Sequence, residues 1–68
     1  MKSKYYLKMW CFINKKVEIL WYTGVDVILN KDKKYAYGYG FKFLAINTAE
    51  TLMKENIFTN YEVVSEVE

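Results

Sequence analysis

The sequence contains no histidine, no arginine and no proline, and its only cysteine among 68 residues is Cys11. A single cysteine excludes an internal disulfide and fits a reducing compartment, and without histidine the usual Cys/His metal frameworks are excluded as well. The lack of arginine removes the bidentate side chain that most often reads guanine or clamps phosphate. We therefore expect no metal and no cofactor, and a fold held together without cross-links.

Apolar and aromatic side chains are abundant instead, at 53% and 19% of the residues. A single domain of this length, residues 1–68, buries only about 60% of the surface that its unfolded chain exposes. The formal net charge is +2, but residues 1–44 hold nine lysines against three acidic residues, and residues 45–68 hold one lysine against five glutamates. Because this division lets opposite halves of two copies meet, and because the core is small, we expect a homodimer.

The first residues have the outline of a secretion signal, with lysines ahead of an apolar run. Lys8 interrupts that run, and no segment approaches the roughly 20 apolar residues that span a bilayer. We expect a β-strand here, in a cytoplasmic protein with no membrane partner.

Alternation of side chains along the sequence predicts strands on both sides of one helix. The stretch "KYAYGYGFKF" alternates aromatic with small residues and is predicted to be the fourth strand, after a hairpin loop at "NKDKK". The short turn between the first two strands is predicted at "NKK", residues 14–16. The predicted strands are residues 4–13, 17–22, 25–29, 34–43 and 61–67.

One helix is predicted at about residues 47–58. Asn47 can accept a hydrogen bond from a free amide of the first turn, and Glu50 can reach back as in a capping box. Ala49, Leu52 and Met53 recur at helical spacing, followed by Ile57. The order ββββαβ predicts an α+β fold, a mostly antiparallel sheet of four or five strands with one helix on one face.

The alternation also assigns the two faces of the sheet. Odd positions of the strands, including Val17, Ile19 and Trp21, are expected to pack against the helix. The aromatic row of the fourth strand joins them if its odd positions point to the same face. Small residues would then form a shallow floor on the open face: Ala36, Gly38 and Gly40. A bulge at Gly24, Gly38 or Gly40 would invert this assignment for part of the sheet.

The open face is expected to carry a contiguous aromatic and aliphatic patch with lysines. Soluble monomers seldom leave such a patch uncovered unless it binds something, and Trp and Tyr are frequent interface anchors. The residues predicted to contact a partner are Tyr6, Lys8, Trp10, Phe12, Leu20, Tyr22 and Lys42.

Catalytic chemistry has little support in the sequence. Cys11 lacks a histidine to activate it and is expected in the core, and Glu50 is expected to act as a cap. The "YGYG" stretch lacks the spacer, the Lys-Ser/Thr ending and the following helix of a phosphate-binding loop. We therefore expect a binding protein and not an enzyme.

Over about ten residues, "KYAYGYGFKF" resembles the aromatic and glycine-containing strand of RNA-recognition domains. The resemblance implies bases stacked on rings, with lysines following the backbone of a single strand. The βαββαβ order of that family is absent, and a net charge of +2 is low for such a binder. A single-stranded nucleic acid is therefore our second expectation, and a sponge for a small nucleotide signal is the third.

In size and composition, the short chain rich in lysine and tyrosine resembles the small accessory proteins of bacteriophages and mobile elements from A/T-rich hosts. That class includes anti-CRISPR proteins and other inhibitors of bacterial defence. The resemblance implies inhibition by occupancy, in which the protein covers a surface of a host defence protein or nucleoprotein complex in the bacterial cytoplasm. Because the chain is slightly basic, mimicry of DNA is not expected.

Overall fold

The computed structural model describes residues 2–67, which form a four-stranded antiparallel sheet with one helix packed on one face. The elements are β1 (Ser3–Ile13), β2 (Lys16–Tyr22), β3 (Leu29–Asn30), a 3₁₀ turn (Lys33–Tyr35), α1 (Lys42–Leu52) and β4 (Phe58–Val67). The α+β class is confirmed, although the order of elements differs from ββββαβ. The strands lie in the order β3-β2-β1-β4, so β1 lies in the interior of the sheet beside β4, which forms one edge.

A tight turn of two residues joins β1 to β2. Asn14 and Lys15 both have positive φ, at 52° and 64°, and Ile13 pairs with Lys16. Two consecutive positive φ angles are the signature of a type I′ turn, whose twist matches that of the flanking strands. The predicted turn is therefore present but one residue shorter. As a result, odd residues of β1 face even residues of β2.

The core lies between the sheet and α1. Leu7, Met9 and Cys11, three of the odd positions of β1, are fully buried there. Directly opposed residues of antiparallel strands point to the same face, so the even positions Leu20 and Tyr22 of β2 belong to this side. The expectation that the odd positions of β2 would pack under the helix is wrong. The other buried core members are Ala45, Ala49, Leu52 and Phe58.

Helix α1 begins five residues before the predicted start and ends at Leu52. Asn47 lies inside the helix, where its carbonyl accepts a hydrogen bond from Thr51 Oγ1 at 3.0 Å, so the predicted capping box does not form. The N-cap position is held by Phe41, whose side chain makes no cap bond. Two small residues four apart, Ala45 and Ala49, let the helix approach the sheet closely.

The predicted fourth strand at residues 34–43 is not a strand. Asp32 accepts a hydrogen bond from the Lys34 amide at 3.1 Å and caps the 3₁₀ turn, and α1 takes up the end of the stretch. Between them, Tyr39 exchanges two backbone hydrogen bonds with Tyr5, at 2.9 and 2.8 Å. The aromatic row therefore does not enter the core. Four side chains of this row are more than half exposed: Tyr35, Tyr37, Phe41 and Phe43.

Candidate functional site: the open face of the sheet

The open face is the side of the sheet opposite α1. The register places on it the even residues of β1, the even residues of β4 from Asn60 to Glu66 and the odd residues of β2. Central β1 therefore shares this face with both of its neighbours. The cross-strand pairs that define the open face are Lys8 with Trp21, Trp10 with Ile19, Phe12 with Val17, Tyr6 with Val64, and Lys8 with Glu62.

Four of the seven residues predicted to contact a partner lie on this face, all from β1: Tyr6, Lys8, Trp10 and Phe12. Leu20 and Tyr22 lie on the opposite face, with Tyr22 only 7% exposed in the core. Their predicted placement is wrong because the two-residue turn reverses the parity that a three-residue turn would have kept. Lys42 is also off the sheet, since it occupies the first turn of α1.

Sequence reasoning missed the β2 part of the open face, namely Val17, Ile19 and Trp21. The signal that could have found them is the dipeptide Asn14-Lys15 between two alternating runs, because Asn suits the first position of a two-residue type I′ turn. Lys33 was also missed, since it reaches the face from the 3₁₀ turn and not from a strand.

One end of the open face, beside the β1–β2 turn, is an apolar patch that we call the apolar end: Trp10, Phe12, Val17 and Ile19. Phe12, Val17 and Ile19 are 50%, 54% and 50% exposed, and they surround the half-buried Trp10. Opposed residues in antiparallel strands have Cβ atoms about 5 Å apart, so these side chains are contiguous. The apolar end therefore offers one continuous hydrophobic surface.

The other end carries ion pairs laid over aromatic rings, and we call it the charged end: Tyr6, Lys8, Trp21, Lys33, Glu62 and Glu66. Lys8 Nζ lies 5.0 Å from the centre of the Trp21 ring and 3.6 Å from Glu62 Oε1. Lys33 pairs with Glu66 and also lies near the ring centres of Tyr6 and Trp21, at 5.4 and 5.7 Å. Both rings are therefore already engaged with cations of the protein itself.

A shallow cavity of about 310 Å³ opens beside the charged end, between Tyr6, Lys33, Lys34, Ala36 and Glu66. Gly38 lies next to it, since an added Cβ there would stand 3.3 Å from the Tyr6 ring. The predicted small-residue floor thus reaches the open face at Ala36 and Gly38. A Cβ at Gly40 would stand in open space.

Two titratable groups of the core have displaced pKa values. Burial raises the pKa of the Cys11 thiol, and the nearby Glu18 carboxylate raises it further. Burial also raises the pKa of Tyr22, with smaller contributions from Tyr39 and Asp26, and the Tyr22 hydroxyl donates to the Asp26 carbonyl at 2.8 Å. Both groups are therefore held neutral on the helix side, away from the open face.

Neither a metal-ligand cluster nor a bilayer-spanning helix is present in the part of the chain that the structure describes. Residues 2–67 contain no group of three or more His, Cys, Asp or Glu side chains that could hold a metal ion. No helix in that range is long and apolar enough to cross a membrane. Comparison of the chain with protein-family models, with curated proteins and with solved structures found no match.

Proposed function

We propose that the protein is a non-catalytic binding protein that holds a protein partner on the open face of its sheet. The observation that supports this proposal is the apolar end, where three neighbouring hydrophobic side chains are about half exposed around Trp10. Contiguous apolar patches on small proteins mark interaction sites, and tryptophan is among the residues that contribute most to binding energy.

The two ends of the face would contribute differently to such a complex. The apolar end supplies the surface that loses water on binding, with Trp10 as its anchor. At the charged end, Lys8 and Lys33 stand beside Glu62 and Glu66, so both signs of charge are presented together. Exposed charges at the border of an interface mainly steer association and fix orientation. A protein surface with charges of both signs fits this arrangement better than a polyanion.

The partner that the resemblance to phage accessory proteins implies is a bacterial defence protein or nucleoprotein complex. We propose that the protein inhibits it in the host cytoplasm by covering a functional surface. The inhibition needs no chemical step, since occupancy alone would exclude the natural ligand of that surface.

A pull-down with matched variants tests the proposal. Immobilised wild-type protein, Phe12→Ala and Phe43→Ala are incubated with nuclease-treated bacterial lysate. Phe12 and Phe43 are similarly exposed, at 50% and 59%, but Phe43 lies on α1 and not on the open face. We expect the wild type and Phe43→Ala to retain the same protein, and Phe12→Ala to weaken its binding by more than about 1 kcal/mol, the usual threshold for an anchor. Equal retention of the protein by the wild type and both variants would mean that the binding site is not on the open face.

Single-stranded nucleic acid is the second candidate, favoured by the lysines that stand over aromatic rings on the sheet. Stacking of bases on Trp21 would require Lys8 and Lys33 to leave that ring. Titration of tryptophan fluorescence with a single-stranded oligonucleotide separates the two candidates. Binding that weakens steeply with salt and is lost in Lys33→Ala would favour nucleic acid.

The same titration with mononucleotides tests the cavity beside Tyr6 as a site for a nucleotide signal.

A further inference from the structure

We propose that the outer edge of β4 is the seam of a homodimer, in which two copies of β4 pair antiparallel and join two four-stranded sheets into one of eight strands. This inference is independent of the open face, because it rests on backbone hydrogen-bonding groups and on the charges of β4.

The first observation is the length of the free edge. β4 spans Phe58–Val67 and pairs with β1 on its inner side, and no other strand within residues 2–67 pairs with its outer side. The opposite edge of the sheet, β3, has only two residues. A long row of unpaired backbone donors and acceptors is a template for another strand.

The second observation shows which backbone groups point outward. In an antiparallel ladder, the N–H and C=O of one residue point to the same side, and directly opposed residues either both bond to each other or both point away. Tyr5 directs both groups to Tyr39, on the side away from β4. Its β4 partner Ser65 therefore directs its own groups outward, and alternation extends this to Val63 and Tyr61. The Tyr61 amide is outside the ladder to β1 and donates locally to the side-chain oxygen of Asn60 at 2.8 Å, a bond that pairing with a second copy of β4 would replace.

The third observation is that charge selects one register. A two-fold axis at Val63 pairs Val63 with itself, Tyr61 with Ser65, and Glu62 with Val64, over residues 59–67 of both copies. If the axis lies at Glu62, Glu62 stands opposite its own copy. If it lies at Val64, Glu62 stands opposite Glu66. Like charges directly opposed across strands are destabilising. A further shift, with the axis at Tyr61, avoids this conflict but pairs only residues 58–64.

The same symmetry brings the two helices together. Opposed residues share a face, so both copies of α1 lie on one side of the joined sheet. Thr48 and Thr51 line a cavity with Tyr22 of β2. The opposite flank of α1, with Ile46 and the C-cap residue Met53, therefore faces the β4 side. Both side chains are only half-buried in the single chain, and the seam would cover them further. The open faces of both copies stay uncovered.

Ser65→Pro tests the seam. Proline lacks an N–H but is tolerated on an edge strand where that N–H faces solvent, so the protomer keeps its ladder to β1. By sedimentation velocity at high micromolar concentration, we expect the wild type and the control Ser65→Ala at twice the chain mass of 8.2 kDa. Ser65→Pro is expected at the single-chain mass with an unchanged circular dichroism spectrum. A monomeric wild type, or a Ser65→Pro variant that remains dimeric, would overturn the proposal.

Cysteine cross-linking tests the register. The two Val63 residues form a hydrogen-bonded pair with Cα atoms about 5.5 Å apart, within the range of a disulfide. The two Ser65 residues lie about 14 Å apart, because each faces Tyr61 of the other copy, four residues along the strand. Native Cys11 is buried and does not compete. We expect mild oxidation to cross-link Val63→Cys but not Ser65→Cys. Cross-linking of neither would contradict the seam, and preferential cross-linking of Ser65→Cys would contradict the register.

Discussion

Gly24 is the residue whose identity is most tightly constrained by the backbone. Its φ is +86°, a conformation that residues with a Cβ rarely adopt. An added Cβ would also lie only 2.7 Å from Cγ of Tyr37, and Tyr37 is held in place by a 3.0 Å hydrogen bond from its amide to the Tyr22 carbonyl. Both the dihedral angle and the space therefore require glycine where the chain leaves β2.

We expect Gly24→Ala to lower the free energy of unfolding by about 1–3 kcal/mol, because it combines backbone strain with a steric clash. Gly40→Ala is the matched control, since an added Cβ at Gly40 meets open space. Urea denaturation followed by circular dichroism measures both. Similar stabilities for the two variants would show that the loop at Gly24 relaxes without cost.

The raised pKa values of Cys11 and Tyr22 predict a loss of stability in alkali. Burial is the main cause for both, so the native state holds each proton more tightly than the unfolded chain does. The stabilising contribution is complete below the pKa of the unfolded groups and is lost as pH rises through the raised values. We expect the free energy of unfolding to fall once the pH exceeds the ordinary pKa of an exposed cysteine thiol, about 8.5. Cys11→Ala and Tyr22→Phe should each make that decline less steep, and an unchanged slope in both would contradict the assignment.

At the scale of elements, the sequence predicted β1 well and its partners less well. The alternation in β1 placed Leu7, Met9 and Cys11 toward the helix and Trp10 on the open face, as observed. Both faces of β2 are apolar, so alternation alone could not choose between them, and the length of the turn decided the register. The start of α1 was missed because the alternating aromatics of residues 39–43 match a strand while the chain already enters the helix there.

A substitution in the β1–β2 turn is expected to stabilise the protein. Lys15 has a φ of 64°, which is unfavourable for a residue with a Cβ, whereas Asn-Gly is the preferred dipeptide of a type I′ turn. We expect Lys15→Gly to raise the free energy of unfolding by up to about 1 kcal/mol. Lys16→Gly, one residue later inside β2, is expected to lower it, because glycine weakens strands. Thermal denaturation of the two variants compares these effects, and opposite signs are the expected result.

At the scale of the whole molecule, stability rests on one small core beneath α1. Leu7 is fully buried at its centre, with Met9 and Cys11 beside it on β1. A domain this small rarely has more than about 3–5 kcal/mol of stability from a single core.

Truncation of a buried leucine to alanine costs about 2–5 kcal/mol. We therefore expect Leu7→Ala to leave the protein largely unfolded at 25 °C, and the equivalent exposed truncation, Leu44→Ala, to leave it folded. The dispersion of amide signals in an NMR spectrum distinguishes these states. A folded Leu7→Ala variant would contradict the assignment of the protein's stability to this one core.

The neighbouring position of β1 and β4 also limits when the chain can fold. Their pairing joins Ser3 to Val67, so β1 gains its second neighbour only from a strand that is distant from it in the sequence. Contacts between distant residues slow folding, because the long intervening loop must close first. During synthesis, the β1–β2 hairpin leaves the ribosome before β4, so β1 has no partner on its outer edge and the core lacks Phe58. The native fold therefore forms only after β4 has emerged.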